Sequence, residues 1–366
     1  MLPVFTRLRG RYLRQHTEAR LLRHLLKQVS RSFYLSLRIL GSTVRKPISL
    51  AYLFCRAADT LVDTPLIPHQ QRWETLQTFR QHFLSPGRPA DARPPWRPVA
   101  SVYDAHNAEY QLAADVPQCF ALLDTLPAHD RRHICQLVLA LTHGMEMDLA
   151  YFPAADPAIV HALPTMATLD LYTYYVAGVV GAFWTKIHAD HVSGWPSEAD
   201  KHLCALGIHL GKGLQMTNIL KDLGKDVALG RCYIPREHLR QVGLVSADLR
   251  HPASLVPLRP LLLQLLWHTL DHLDHGCQYI LALPYHTLRL RLSCMWPLFF
   301  ALQTLEVVWN ADALLVPTAR IRITRRSVYR TLWMSLLCLI APGIFVHYYR
   351  TLRRSLTKAL SSQFPG

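Results

Sequence analysis

Residues 215–226 read QMTNILKDLGKD, and three of their polar side chains, Asn218, Asp222 and Asp226, are spaced four residues apart. Side chains at this spacing lie on one face of an α-helix. The stretch therefore predicts a helix that presents an amide and two carboxylates in a single stripe. Hard divalent cations such as Mg²⁺ prefer oxygen donors of this kind. An amphipathic surface helix with paired charges is the alternative interpretation.

A second acidic motif lies upstream, where residues 56–63 read RAADTLVD and place Asp59 and Asp63 four residues apart. Two like charges at this spacing destabilise an isolated helix, and a divalent cation would compensate for the repulsion. Mg²⁺ normally binds one or two carboxylates together with substrate phosphate. A solvated acidic face is the alternative, but the preceding residues are too apolar for open solvent. Together the two motifs predict magnesium sites on two acidic helices that can face each other across a cavity.

Side chains that suit phosphate accompany both motifs. Arginine binds phosphate through two parallel hydrogen bonds, and hydroxyls and ammonium groups add further donors. The segment SRSF at 30–33 supplies several of these groups, although it also reads as an ordinary helix N-cap. The candidates are Ser30, Arg31, Ser32, Tyr52, Arg56, Lys221 and Lys225.

Small residues follow a group of tyrosines in YTYYVAGVVG, residues 172–181. Ala177, Gly178 and Gly181 would allow the helix to bend or another group to approach closely. Tight helix packing explains the glycines nearly as well.

The rest of the sequence is typical of an all-α protein. Apolar residues recur at helical spacing, strand-like alternation is rare, and no internal repeat is found. The proline-rich stretch 85–98 and residues 153–164 predict loops, and Pro127 predicts a break in a long helical segment. One large helical bundle is favoured over two domains. The helical segments are 17–40, 48–63, 119–152, 168–190, 199–226, 258–283 and 286–311.

Composition indicates an anionic partner and a reducing compartment. The net charge is +15 over 366 residues, of which 50% are hydrophobic, a balance that suits phosphorylated metabolites or acidic lipids. No nucleic-acid-binding motif accompanies the cations. The 8 cysteines are scattered singly, which favours unpaired thiols. The 20 histidines are dispersed along the chain, so a histidine metal site is not expected.

The C-terminal tail contains the uncharged stretch 332–349, LWMSLLCLIAPGIFVHYY, with arginines on both sides. Its length is at the short end for a membrane span, and Pro342 and Gly343 weaken that interpretation. Flanking cations attract anionic headgroups. We therefore expect residues 326–366 to form a hydrophobic helix that anchors the catalytic domain, residues 1–325, to membrane lipid. A core helix packed on the bundle is the alternative.

In this order, the motifs SRSF, YLFCRAADTLVD, LYTYYVAGVVG and QMTNILKDLGKDVALGRCYIP resemble those of the squalene/phytoene synthase family. The resemblance covers roughly residues 25–310. It implies an all-α isoprenoid synthase fold with a central cavity, and an Mg²⁺-dependent prenyltransferase that joins two prenyl diphosphates head to head. It further implies a monomer at the cytoplasmic face of a membrane, without a nucleic-acid partner.

The resemblance also implies roles for individual residues. Asp59, Asp63, Asn218, Asp222 and Asp226 would hold the metal ions, and the four aspartates would be catalytic together with Tyr172, a tyrosine near the departing diphosphate. Phe33 and other aromatic side chains would line an apolar cavity. The substrate-binding residues would be Ser30, Arg31, Ser32, Phe33, Tyr52, Arg56, Gln215, Asn218, Lys221 and Arg231.

Within the family, the run ADTLVD and the hydrophobic tail favour squalene synthase, which would use NADPH to reduce presqualene diphosphate. Val62 and Thr64 stand where that subgroup commonly carries acids, and GMEMDLAYF and GRCYIP are more similar to phytoene or bacterial synthases. The alternatives are therefore a phytoene or dehydrosqualene synthase without reduction, or a non-catalytic membrane-associated relative. Intact carboxylates in both motifs favour an enzyme.

Overall fold

The computed structural model describes residues 17–30, 33–63, 67–84, 107–153, 158–196 and 200–362, without the side chains of Phe33, Asp63 and Ser362. Arg31, Ser32 and the proline-rich stretch 85–98 lie outside these residues, so the roles predicted for them stay predictions. The described chain is almost entirely helical, which confirms the all-α prediction.

The chain divides into two compact units, Met1–Met145 and Glu146–Gly366. In the first unit a π-helical turn, Arg20–Leu25, precedes the first α-helix. The helices that follow are α1 (Leu26–Val29), α2 (Phe33–Ile39), α3 (Ser42–Asp63), α4 (His69–Gln81), α5 (Ala108–Ala114) and α6 (Val116–Leu123). Helix α7 (Ala128–Tyr151) begins directly after Pro127, as predicted, and contains the boundary between the units.

The second unit contains the remaining elements. They are β1 (His161–Ala162), α8 (Met166–Thr173), a π-helical segment (Tyr174–Gly178), α9 (Val179–His191), α10 (Asp200–Lys221), α11 (Leu223–Ala228), β2 (Arg231–Cys232), α12 (Arg236–Gln241), two 3₁₀ turns (Ser246–Arg250 and Pro252–Ser254), α13 (Leu255–Ala282), α14 (Leu288–Trp309), α15 (Arg325–Cys338) and α16 (Pro342–Ser362).

Helix α3 organises the first unit and presents the first acidic motif. Its residues Leu50, Phe54 and Leu61 are buried, and Phe54 packs edge-on against Phe83 with ring centroids 5.0 Å apart. Apolar residues at helical spacing thus fix one face of α3 against α4, α5 and α6. The opposite face carries Asp59, which stays partly exposed.

Helix α10 is the central element of the second unit and packs against α9, α13 and α14. Its contact with α9 is unusually close because glycines face each other. A Cβ at Gly181 would lie 1.9 Å from the backbone oxygen of Gly207, and a Cβ at Gly211 would lie 2.3 Å from that of Ala177. The small residues of the 172–181 stretch therefore serve tight packing, and the helix also changes to π geometry at Tyr174–Gly178.

A short parallel pair joins two loops of the second unit. His161 and Ala162 of β1 pair with Arg231 and Cys232 of β2. The sequence did not predict this pair because two-residue strands produce no alternating pattern. The pairing ties the residues before α8 to the residues after α11.

The C-terminal tail is part of the second unit. The apolar stretch is divided between α15, which ends at Cys338, and α16, which begins at Pro342. Helix α16 buries Phe345, Tyr348 and Tyr349 and packs against α14. The alternative of a helix packed on the bundle therefore holds for α16, whereas the proposed boundary at 325/326 as the start of a membrane anchor stays a prediction.

One described helix, α14, is long and apolar enough to cross a membrane, with a mean hydropathy of 1.3 and 67% of its apolar window buried. A buried core helix satisfies the same criteria, so this observation is weak evidence for a membrane span. The predicted tail stretch at 332–349 does not form such a helix.

Candidate functional site

The first acidic motif lies on the exposed side of α3, beside the end of α1. Tyr52 donates a hydrogen bond from its hydroxyl to the carbonyl oxygen of Val29 at 3.3 Å. Ser30, the next residue, is buried, and its hydroxyl has no hydrogen-bond partner among the described residues. Tyr52 therefore contacts the residue that precedes Ser30, and the role of both side chains in substrate binding stays a prediction.

Arg56 joins this motif to α5. Its guanidinium donates to the carboxylate of Asp59 at 3.5 Å and makes a second ion pair with Glu109. Burial lowers the pKa of Arg56, but the negative charges of Asp59 and Glu109 outweigh it, so the net pKa is raised. The side chain of Asp59 remains 44% exposed. Arg56 is therefore a fixed cation beside a carboxylate that is open to a ligand.

The second acidic motif keeps its helical register across a break in the helix. Helix α10 ends at Lys221 and α11 begins at Leu223, so Asp222 lies between them. The backbone N–H of Asp222 nevertheless donates to the backbone carbonyl oxygen of Asn218 at 2.9 Å. The backbone N–H of Asp226 likewise donates to the carbonyl oxygen of Asp222 at 3.0 Å. The four-residue spacing therefore still places all three side chains along one stripe.

Two lysines contact Asn218 and Asp222 of this stripe. Lys221 donates to the amide oxygen of Asn218 at 3.0 Å and lies 3.1 Å from Asp222. Lys225 donates to the other carboxylate oxygen of Asp222 at 2.8 Å. Both ammonium groups therefore contact oxygen atoms of the predicted ligand set. The donor set is composed of hard oxygen ligands, which fits Mg²⁺.

A buried tyrosine pair shares one carboxylate. Tyr172 donates to Asp148 Oδ2 at 3.1 Å, and Tyr233 donates to Asp148 Oδ1 at 3.0 Å. The two rings stack with centroids 4.9 Å apart. Burial is the main cause that raises the pKa of both phenols well above the ordinary value, and the charge of Asp148 raises it further. Both tyrosines therefore keep their protons and act as hydrogen-bond donors.

The charged residues of the second motif act on this pair. The negative charge of Asp226 raises the pKa of Tyr233, and the positive charge of Arg231 lowers it. Arg231 and Asp226 therefore act electrostatically on Tyr233, which stacks on Tyr172. Gln215 is half-buried on α10, three residues before Asn218.

Three residues of this arrangement were not recognised in the sequence. They are Glu109, Asp148 and Tyr233. Asp148 lies in GMEMDLAYF, where an acid interrupts an apolar helix, and this acid was the available signal. Glu109 lies in a short helix without a repeated pattern, and the surrounding sequence contains no motif that indicates a functional role for it.

A cavity of about 620 Å³ in the second unit lies elsewhere, between α13 and α16. None of the predicted site residues lines it. Its lining residues are Asp274, Cys277, Gln278, Leu281, Val346, Tyr349, Arg350, Arg353 and Arg354.

The described residues form an all-α fold of the isoprenoid synthase type. Residues 26–327 match the family model described as squalene/phytoene synthase. The chain therefore belongs to the squalene/phytoene synthase family.

Relatives in this family carry several names. Over 62% of this chain, the presqualene diphosphate synthase of Sinorhizobium fredii is 33% identical. A bifunctional lycopene cyclase/phytoene synthase of Colletotrichum graminicola is 31% identical over 63% of the chain, and Botryococcus squalene synthase of Botryococcus braunii is 28% identical over 78%. The chain spans 65%, 36% and 57% of the lengths of these relatives, respectively.

Solved structures show the same fold. TcSQS in complex with a ligand superimposes with a TM-score of 0.74 at 20% identity, over 95% of this chain and 99% of that one. Squalene synthase HpnC from Alicyclobacillus acidocaldarius superimposes with a TM-score of 0.54 at 19% identity, over 85% and 94% of the two chains. At these identities the similarity establishes the fold and not the reaction.

Proposed function

We propose that this protein is a squalene synthase that condenses two farnesyl diphosphates head to head through presqualene diphosphate and then reduces the product with NADPH. The observation that carries the proposal is the second acidic motif, which keeps its register and whose Asp226 acts electrostatically on Tyr233, the tyrosine that shares the Asp148 carboxylate with Tyr172. Relatives named presqualene diphosphate synthase and squalene synthase support it. The prenyltransferase class is common to all the candidate reactions.

Magnesium would supply charge neutralisation for the departing diphosphate. Asp59 and Asp63 would hold it in one motif, and Asn218, Asp222 and Asp226 in the other. Within each motif the neighbouring cations, Arg56 beside Asp59 and Lys221 and Lys225 beside Asp222, would add positive charge for a bound phosphate group. Apolar walls would exclude water, which would otherwise quench the carbocation.

The second candidate is a phytoene or dehydrosqualene synthase, which would use the same ionisation and end in loss of a proton. The similarity to proteins named phytoene synthase favours it, as do Val62 and Thr64 in and after the first motif. Product analysis distinguishes the candidates. Purified protein is incubated with Mg²⁺ and either farnesyl or geranylgeranyl diphosphate, with and without NADPH, and the lipid product is identified.

Squalene that forms only with NADPH would support the first candidate, whereas dehydrosqualene or phytoene in both reactions would support the second. A protein that consumes neither diphosphate would be a non-catalytic relative, and the proposed function would then be wrong.

Tyr172 is expected to matter more than its stacked neighbour. Tyr172→Phe removes the donor that the resemblance places near the leaving group, whereas Tyr233→Phe removes the other donor to the same carboxylate. We expect Tyr172→Phe to lower kcat by roughly 100-fold, within the usual range for one positioned proton donor, with little change in KM. Tyr233→Phe is the matched control and should lose much less. Equal losses in steady-state assays of the two variants would refute a distinct role for Tyr172.

We further propose that the outer face of α15 binds the surface of a membrane. Tyr329, Trp333 and Leu336 of this helix are 70%, 66% and 47% exposed, and Ile340, just after the helix, is 66% exposed. The inner face of α15 is polar instead: Thr331 accepts from Gln303, and Ser335 accepts from a buried tryptophan. An exposed apolar face of this kind marks a membrane or protein contact.

Charge favours the membrane. The exposed residues Arg325, Arg326 and Arg330 lie at the start of α15, and the sequence contains no Asp or Glu after Asp312. Cations beside an aromatic, apolar helix face are typical of helices that lie in the headgroup region of anionic bilayers. The cytoplasmic face carries such lipids, which is the location that we propose.

Trp333→Ser should weaken binding to vesicles that contain anionic phospholipid by about tenfold, because one large side chain no longer enters the bilayer interface. Vesicle flotation measures the bound fraction. Trp267→Ser is the control, since Trp267 is exposed on α13, outside this face. Vesicles of neutral lipid should bind less, and salt should weaken binding to anionic vesicles. An unchanged bound fraction for Trp333→Ser would contradict the proposed contact.

A further inference from the structure

Histidines that are dispersed in the sequence meet in one cluster of the second unit. His268, His272 and His275 lie on α13, and His209 lies on α10. The ring nitrogens Nδ1 of His209 and His272 are 2.8 Å apart, and the rings of His209 and His275 stack with centroids 4.2 Å apart. This cluster of imidazoles has no role in the proposed condensation.

Asp170 completes a possible ligand set with two of these histidines. One ligand atom each from Asp170, His268 and His272 lies within 4.8 Å of the other two. His268 and His272 are four residues apart on α13, so their side chains share one helix face. Two imidazoles and one carboxylate form a donor set that binds borderline divalent metals such as Zn²⁺.

The buried nitrogen of His272 indicates a missing partner. Its Nδ1 contacts His209, whereas its Nε2 is buried and has no hydrogen-bond partner among the described residues. The residue is only 4% exposed. A buried polar atom without a partner is costly, and a metal ion would satisfy it.

Access and protonation also suit a metal ion. The side chain of Asp170 is 48% exposed, so an ion can enter from solvent. Burial is the main cause that lowers the pKa of His268 and His272, the latter to about 3. Both imidazoles are therefore neutral near pH 7, which is the form that binds metals.

One cation already competes for this position. Lys212 is buried on α10 and makes an ion pair with Asp170 through Oδ1. The second carboxylate oxygen, Oδ2, is not part of that ion pair. A bound metal would therefore share the carboxylate with Lys212 or displace it, and the positive charge of Lys212 would weaken the binding of the metal.

We propose that His268, His272 and Asp170 form a binding site for a zinc-class divalent metal ion, distinct from the magnesium motifs. Zinc ligands in a tetrahedral site lie roughly 3.4 Å from one another, given metal–ligand distances near 2.1 Å. Because the ligand atoms lie within 4.8 Å of one another, a closure of at most about 1.4 Å would bring them to this spacing. His209 is within reach of His272 and stabilises its ring orientation, as outer partners of metal ligands commonly do.

Titration calorimetry of the full chain with Zn²⁺ tests the site. The protein is first stripped with a chelator, and millimolar Mg²⁺ is present to occupy the oxygen-donor motifs. We expect the wild-type protein to bind one Zn²⁺ ion. The Zn²⁺ affinity of His268→Ala should be at least 10-fold lower, because loss of even an outer partner of a metal ligand commonly lowers metal affinity 10–100-fold. His202→Ala is the control, because His202 is exposed on the same helix as His209.

Two further variants distinguish Zn²⁺ binding at this site from damage to the fold and from Zn²⁺ binding at the magnesium motif. Lys212→Gln removes the competing cation and should bind Zn²⁺ more tightly than the wild-type protein, an effect that damage to the fold would not produce. Asp222→Ala alters only the magnesium motif and should leave Zn²⁺ binding unchanged. Cobalt(II) absorption in the visible range should likewise be lost in His268→Ala.

Binding is measured without any prenyl diphosphate, so its outcome is independent of the proposed condensation. Undiminished Zn²⁺ affinity in His268→Ala, or loss of the site in Asp222→Ala, would overturn the proposal. Weaker binding by Lys212→Gln than by the wild-type protein would overturn it as well.

Discussion

Asp222→Ala should lower the rate of diphosphate release from farnesyl diphosphate by roughly a thousandfold or more, because it removes the central carboxylate of the second motif. In the structure this carboxylate binds both Lys221 and Lys225. Its loss would therefore remove a proposed metal ligand and the partner of two cations, Lys221 and Lys225. Release of diphosphate, measured with a coupled assay at saturating Mg²⁺, reports the loss directly.

The fold should tolerate this substitution. Asp222 is about one-third exposed and lies at a break between helices, so its truncation leaves no large cavity. Asp312→Ala is the control for removal of one acidic charge, since Asp312 is fully exposed and outside the motif. Full activity in Asp222→Ala, with an unchanged circular dichroism spectrum, would show that this carboxylate holds no essential metal ion.

Gly181→Ala should destabilise the second unit by about 3 kcal/mol or more, at or above the upper end of the usual cost of overpacking. The added Cβ would lie 1.9 Å from the backbone oxygen and 2.3 Å from the backbone carbon of Gly207. Rotation of a side chain cannot relieve a contact with backbone atoms, so α9 and α10 must separate. We expect the melting temperature to fall by roughly 6 to 12 °C.

Two other glycines calibrate this effect. Gly207→Ala brings its Cβ to 2.9 Å from the backbone oxygen of Gly181, a milder clash, and should cost less. Gly343→Ala meets nothing within 4 Å and should be neutral or slightly stabilising, because alanine is the better helix former. If Gly181→Ala melts at the same temperature as Gly343→Ala, the close contact between α9 and α10 is absent in solution.

Features that depend on neighbours in the sequence were predictable. The helices follow from apolar spacing, the break at Pro127 follows from proline, and the register of Asn218, Asp222 and Asp226 follows from helical geometry. The interruption of the helix at Asp222 was not predicted, because the backbone hydrogen bonds continue across it and the spacing is unchanged.

Features that depend on distant pairs were not predictable. Asp148 accepts hydrogen bonds from Tyr172 and Tyr233, which lie 24 and 85 positions away in the sequence. No local sequence pattern predicts either contact. The histidine cluster has the same origin, since His209 and His272 are 63 positions apart. The pair His268 and His272 was visible in the sequence, but a spacing of four is also common in ordinary helices.

The tail illustrates a different limit. Hydropathy identified an apolar stretch at 332–349 but could not divide it between two helices with different surroundings. Packing buries Phe345 and Tyr349 of α16, whereas Trp333 of α15 faces outward. The mean hydropathy of a stretch cannot distinguish an apolar side chain that is buried in the bundle from one that is exposed on its surface.

The pairing of β1 with β2 has a consequence for motion. Three backbone N–H groups donate to backbone carbonyl oxygens here: that of His161 to Gly230 at 2.9 Å, that of Leu163 to Cys232 at 3.1 Å, and that of Arg236 to Leu163 at 2.8 Å. These bonds join the segment that precedes α8 to the segment that follows Asp226. Helix α8 carries Tyr172. A large displacement of these two segments relative to each other would break the bonds. The two should therefore move as one rigid block during a catalytic cycle, and slow amide hydrogen exchange at Leu163 and Arg236 should mark that block.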